Sequence, residues 1–343
     1  MGPKDNATSE QRRTEHQRLA GLEAVLGDLA DAIGPGGDAL AQRTPAPRKP
    51  VLLLTGTARS GSTVTMWWLA RSGAFAVPSN LMSRFWRAPA VGALVERLLF
   101  DPALDFRGEL SLPAEASQSA AYHSDIGKTR GPTSPHEFWY FWRHFLGLGN
   151  PPTLGESGRR DADAEGFSAH LGALEAAKGK PVALKALIAS WELPFIAEVL
   201  PTAHFLDLSR DPLQTMRSLL KTRERFYGDR ARWYSFLLPE MEGVSELSPE
   251  EQVAVQVRMT RAAIDAGLAA IHPDRVLRMD YERLCAEPGA TWAVLRDWMA
   301  SRGLTLPERH PDDAPPLQAT TPVTSVRLRD AWEASADWVT SAP

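Results

Sequence analysis

The chain has 343 residues, 43% of them hydrophobic, enough for a substantial core in one large or two modest domains. Its net charge of −4 excludes whole-protein attraction to nucleic acid or an anionic membrane, so any polyanion must be held by a local basic cluster. A single cysteine, Cys285, excludes an internal disulfide and a thiolate metal site, and no apolar run approaches the ~20 residues of a membrane span. With no cationic-then-apolar leader pattern at the N-terminus, a soluble, cytoplasmic, metal-free protein is expected.

Residues 10–33 are rich in helix formers and space Leu19, Leu22, Leu26, Leu29 and Ile33 by threes and fours. That spacing predicts one helical stripe, buried either on the body of the protein or on a second copy of the same helix. Gly34-Pro35-Gly36-Gly37 is expected to end it, and 44–50 reads as a proline-bearing linker. Residues 1–48 are therefore expected to form a tail, helix and linker ahead of a single α/β domain at 49–343.

Residues 49–73 read as buried strand, tight turn and helix in immediate succession, with Val51 to Leu54 an unbroken apolar run. A helix is expected at 90–100, then an irregular stretch to 135 whose polar part holds His123, Asp125, Lys128 and Arg130. An aromatic helix is predicted to start at Pro135, with Glu137 in its first turn. A helix at 166–178 leads to a strand at 181–187 carrying Lys185, a helix at 191–200 and a strand at 204–208. The next helix spans about 212–225. An aromatic and charged excursion at 226–249, a helix at 250–271, a strand at 275–281 and a helix at 289–302 follow. Strands alternating with helices at these lengths predict βαβ units and a parallel sheet between helical layers.

The turn Gly56-Thr57-Ala58-Arg59-Ser60-Gly61-Ser62-Thr63 has the two-glycine spacing of the nucleotide-binding pattern GxxxxGK[ST], with Ser62 where the lysine would stand. A loop of this shape leaves backbone N–H groups at a helix start to hold phosphate or sulfate, and Arg59 supplies a permanently charged fork. An ordinary βα turn that binds nothing is the competing reading of the loop alone. Arg210 stands at the end of the 204–208 strand and Ser218 lies eight residues on, inside the next helix. Ligands of parallel α/β sheets gather at the carboxyl ends of strands, so the two loops are expected to share one crevice.

Together, GTARSGST after a strand and FLDLSRDPLQTMRSLL about 150 residues later resemble the sulfotransferases that use 3′-phosphoadenosine 5′-phosphosulfate. The resemblance extends through PVALKALIASWELPFIAEVLPTAHFLDLSRDP and RVLRMDYERLCAEPGATWAVLRDWM, from residue 49 to about 330. It implies a three-layer α/β fold of the nucleoside triphosphate hydrolase-like kind. It also implies that Thr57, Ala58, Arg59, Ser60, Gly61, Ser62 and Thr63 hold the 5′-phosphosulfate end and Arg210 and Ser218 the 3′-phosphate. Arg327 is implied as a late basic residue closing the nucleotide site, with Arg329 beside it. Ala58 replaces the family's usual proline and Ser62 a threonine, and the threonine-histidine-proline pattern of the animal enzymes is missing before Lys185.

Sulfuryl transfer, treated by analogy with phosphoryl transfer, requires neutralisation of the leaving phosphate and a base for the acceptor's proton. Arg59 and Lys185 are the expected cations, Glu137 and His136 the first candidates for the base, and His123 the reserve. The aromatic residues of 136–144 with Trp233, Tyr234 and Phe236 suggest an apolar hydroxylated metabolite or a carrier-tethered chain as acceptor. An ATP-dependent phosphotransferase and a non-catalytic assembly protein, joined through the 19–33 helix as a homo-oligomer, are the competing readings.

Overall fold

The computed structural model describes residues 12–104, 124–125, 127–239, 243–311 and 322–340. Helix α1 (Ala20–Ala41) precedes the first strand, β1 (Val51–Gly56), which enters α2 (Ser62–Arg71) through the glycine-bearing turn. Helix α3 (Pro89–Phe100), a short hairpin of β2 (Ser124–Asp125) and β3 (Lys128–Thr129), and helices α4 (Trp139–Leu146), α5 (Gly155–Asp161) and α6 (Ala164–Lys178) follow. The chain then alternates: β4 (Ala183–Lys185), α7 (Leu193–Val199), β5 (Ala203–Ser209), α8 (Pro212–Tyr227), α9 (Pro249–Ala269), β6 (Val276–Asp280). It closes with α10 (Tyr281–Ala286), α11 (Pro288–Ala300), α12 (Val326–Ala334) and one last helical turn, Asp337–Thr340.

The four main strands form one sheet in the order β4-β1-β5-β6, every neighbouring pair parallel. The expected architecture is borne out. In β1 alternate side chains serve opposite layers: Val51 and Leu53 join the core made with Phe141, Trp142 and Phe167, while Leu52 and Leu54 join Met66, Trp68, Trp292 and Leu295. Registry places Gly56 opposite Leu208 and Leu54 opposite Lys185, so the turn after β1, Lys185 at the end of β4 and Arg210 beyond β5 all emerge at the same edge.

Two expectations are corrected. Helix α1 runs on through Gly34-Pro35-Gly36-Gly37 instead of ending there. Gly37 lies so close to Ala88 that a Cβ in its place would stand 2.5 Å from the alanine Cβ, and Pro35 stands on the exposed face of the helix. The buried face is therefore Leu26, Ala30, Gly34, Gly37 and Ala41, packed on α3 and α6, whereas Leu19 and Leu22 are 69% and 38% exposed. Asp38 on that face takes both Nη atoms of Arg87 at 2.7 and 2.8 Å, and the buried His170 ring lies 3.0 Å away.

The aromatic helix starts at Trp139, not Pro135. Pro135 bridges Ser79, the His136 N–H donates to the Pro78 carbonyl at 2.8 Å, and Phe138 takes a left-handed backbone (φ 59°). Pro135 and His136 are thereby tied to a neighbouring strand-like segment, and Glu137 lies ahead of the helix instead of in its first turn.

Candidate active site

The phosphate-type turn is shaped by two left-handed residues. Gly61, the N-cap of α2, has φ 97° and lies against Tyr281, where a Cβ would come within 2.3 Å of the ring. Only glycine meets both demands. No side chain caps α2, so its first-turn N–H groups are left for other acceptors. Arg59 has φ 69°, a conformation that costs a non-glycine residue energy and is held here by its partners.

Those partners come from residues about 150 positions away. The Arg59 Nε donates to the Ser218 hydroxyl on α8 at 3.1 Å, and Arg210 Nη1 donates to the Arg59 carbonyl at 2.8 Å. Arg210 also sits over the Tyr281 ring, 4.7 Å from its centroid, and burial pulls its guanidinium below the ordinary arginine value. Arg59, Arg210 and Ser218 thus form one contiguous group. Ser60 is fully buried, its hydroxyl without a hydrogen-bond partner among the described residues.

Lys185, buried at the end of β4, donates to Thr63 Oγ1 at 3.2 Å and is ion-paired with Glu137. One ammonium therefore connects the turn to a carboxylate. His136 is differently disposed: its Nδ1 accepts the Phe138 N–H at 2.9 Å, and burial pushes its pKa down to about 4. With Nδ1 engaged, the neutral ring carries its proton on Nε2 and has no free lone pair for a substrate proton.

These groups open on a cavity of about 700 Å³. It is lined by Ala58, Arg59, Gly61, Ser62, Thr63 and Arg210, by Lys185, His136 and Glu137, and by an aromatic wall of Trp139, Tyr140, Trp233, Tyr234 and Phe236. Thr57 and Ser60 are buried behind the turn, and Ser218 reaches the site through Arg59. The aromatic wall is rigidly seated. Trp139 stacks on Phe236 at 4.8 Å, Gln256 donates to the Tyr234 carbonyl at 2.8 Å, and the fully buried Arg223 lies 5.0 Å from the Trp233 ring centroid. Burial raises the Tyr234 phenol to about 12; burial with the Glu23 contacts does the same for Tyr140.

Arg327 and Arg329 are exposed on α12 and do not line the cavity. His123 lies outside the described residues. Sequence reasoning missed the segment 12–23, whose Arg12, His16, Leu19, Leu22 and Glu23 line the cavity. Tyr140 donates to the Glu23 carboxylate at 2.6 Å, Arg13 N–H bonds the Phe226 carbonyl at 3.0 Å, and His16 stacks on Phe226 at 4.6 Å. The available signal was the basic spacing of Arg12, Arg13, His16 and Arg18 just before the leucines.

Residues 50–302 match the family described as the sulfotransferase family. Among solved structures, sulfotransferase STF9 from Mycobacterium avium aligns with a TM-score of 0.53 at 17% identity, covering 98% of this chain and 79% of that one. Sulfotransferase STF1 from Mycobacterium tuberculosis H37Rv gives 0.48 at 14% identity over 90% and 76%. The sulfotransferase domain of the Synechococcus PCC 7002 olefin synthase gives 0.41 at 15% over 87% and 90%. The likeness of fold rests on the first. No curated protein matches the chain.

Proposed function

The chain belongs to the sulfotransferase family, and within it we propose transfer of a sulfuryl group from 3′-phosphoadenosine 5′-phosphosulfate to a hydroxyl of a small, largely apolar metabolite or carrier-tethered chain. The observation that carries this reading is the double contact of Lys185, which touches Thr63 of the turn and Glu137 together. It brings an anion-holding turn and a proton acceptor to one point, as an in-line transfer between two oxygens requires.

The donor supplies an activated sulfuryl group on a leaving phosphate. In this reading Arg59 and the uncapped N–H groups of α2 hold that phosphate, and Lys185 adds the second cation. Arg210 and Ser218 serve the 3′-phosphate, with Arg59 spanning the two through its bond to Ser218. The chemistry of the turn fits such a group: an orphaned buried hydroxyl at Ser60, unpaired helix donors and two guanidinium groups. Glu137 takes the acceptor's proton, and His136 orients the peptide that carries it. The aromatic wall excludes water and receives the acceptor's apolar body. No helix among the described residues is long and apolar enough to cross a membrane, which is compatible with a cytoplasmic site of action.

Calorimetric titration with adenosine 3′,5′-diphosphate, ATP and GTP tests the donor. Binding of the 3′,5′-diphosphate in preference to both nucleotides is expected, whereas preference for ATP sinks the reading. Mass spectrometry of extracts then identifies the acceptor, as a sulfate that appears only when protein and phosphosulfate donor are both present.

A further inference from the structure

Phe226, at the end of α8, gathers an unusual set of neighbours. His16 stacks on its ring, and Arg12 and Lys128 each bring their charge to 5.3 Å from its centroid. These come from the N-terminal segment, outside the part of the chain that matches the family, and from the hairpin strand β3. Among the described side chains neither Arg12 nor Lys128 has a carboxylate within ion-pair distance, and Arg12 Nε is buried without a hydrogen-bond partner. Arg12 does keep a hydrogen bond with Tyr227. Burial lowers the Lys128 pKa first, the like charges of Arg12 and Arg18 press it further down, and Glu137 offsets part of this. One aromatic ring does not compensate two cations that repel each other, since a cation–π contact contributes only about 0.5–2 kcal/mol.

A phosphate at Ser218 does not account for the pair, since Ser218 and Phe226 sit on the same helix about 12 Å apart along its axis. The hairpin also borders the turn, the Thr63 hydroxyl donating to the Gly127 carbonyl at 3.3 Å. Glu137 is close enough to influence Lys128, and Arg12, Lys128, Glu137 and Phe226 line the same cavity as the aromatic wall. An acceptor lying along the aromatic wall of this cavity comes within reach of both Arg12 and Lys128. Building on the sulfuryl-transfer reading, we infer that the acceptor carries an anionic group, a carboxylate or a phosphate, which Arg12 and Lys128 hold beside Phe226 while its apolar body lies along Trp139 and Trp233. The N-terminal segment then selects the acceptor, and the family-matched domain supplies the donor site.

The dyes 8-anilinonaphthalene-1-sulfonate and N-phenyl-1-naphthylamine share one ring system with and without an anionic group, and their fluorescence reports binding to the full chain. The sulfonate is expected to bind at least roughly tenfold more tightly than the neutral amine. The double variant Arg12→Gln/Lys128→Gln abolishes that preference, whereas Arg12→Lys retains most of it. Equal affinities in the unaltered protein, or a preference that survives in the double variant, overturns the inference. Octanoate and octyl phosphate, used as displacing ligands, separate a carboxylate from a phosphate, and failure of both also counts against it. The single variant Lys128→Gln covers the case in which the double variant does not fold. Adenosine 3′,5′-diphosphate is titrated into the same samples: its failure to bind the unaltered protein sinks the donor reading, while the anion preference stands or falls on the dyes.

Discussion

At the scale of single residues, the proposed base and the histidine beside it have different partners. Glu137 faces Lys185, whereas His136 spends Nδ1 on the Phe138 N–H. Glu137→Gln is therefore expected to lower sulfate transfer in the extract assay by about 10²–10⁴-fold with unchanged affinity for adenosine 3′,5′-diphosphate. Arg59→Ala, by contrast, should weaken that affinity about 10- to 100-fold, measured by calorimetry. His136 has a stability signature instead. Its folded pKa of about 4 lies below the usual 6.5, so the unfolded chain binds the extra proton between those values. Its contribution is whole above pH 6.5 and is lost as the pH falls towards 4, by roughly 3 kcal/mol in all. Denaturant melts at pH 7 and pH 4.5 should show this loss reduced in His136→Asn, whose side-chain carbonyl can still accept the Phe138 N–H.

At the scale of elements, α1 reverses a general rule. Glycine inside a helix is normally about 1 kcal/mol worse than alanine. Gly37→Ala should instead destabilise by about 1–3 kcal/mol in a denaturation midpoint, because the new methyl would meet Ala88 at 2.5 Å. The same contact explains why the run of glycines and proline misleads as a stop signal: a Gly-Pro-Gly-Gly string usually ends helices because glycine costs entropy and proline removes an N–H, and here the close approach of Gly37 to Ala88 offsets part of that cost. The aromatic helix shows the converse error. Pro135 and Glu137 satisfy the local rules of initiation, yet pairing of Pro135 and His136 with Pro78 and Ser79 holds them extended. A bond to a segment more than fifty positions away outweighs a local propensity.

For the whole molecule, the proposed donor site is made by three elements, the turn after β1, the end of β5 and α8, so a bound donor should stabilise the fold. Adenosine 3′,5′-diphosphate at a hundredfold its Kd is expected to add about 2.7 kcal/mol and raise Tm by about 3–5 °C in calorimetry, with a smaller rise for ATP. What the sequence determined by itself was the sheet and the turns at its carboxyl edge: buried runs such as Val51 to Leu54, the glycine turn and the strand exit at Arg210 obey local periodicity and turn chemistry, which act over a few residues. Tertiary structure decided the rest. It joined Arg59 to Ser218, set Lys185 between Thr63 and Glu137, left Arg327 on the surface and laid residues 12–23 across the cavity, because each depends on side chains far apart in the chain meeting across packed layers. No periodicity encodes such a meeting, which follows only from the register of parallel strands and from the volumes that fill the space between them.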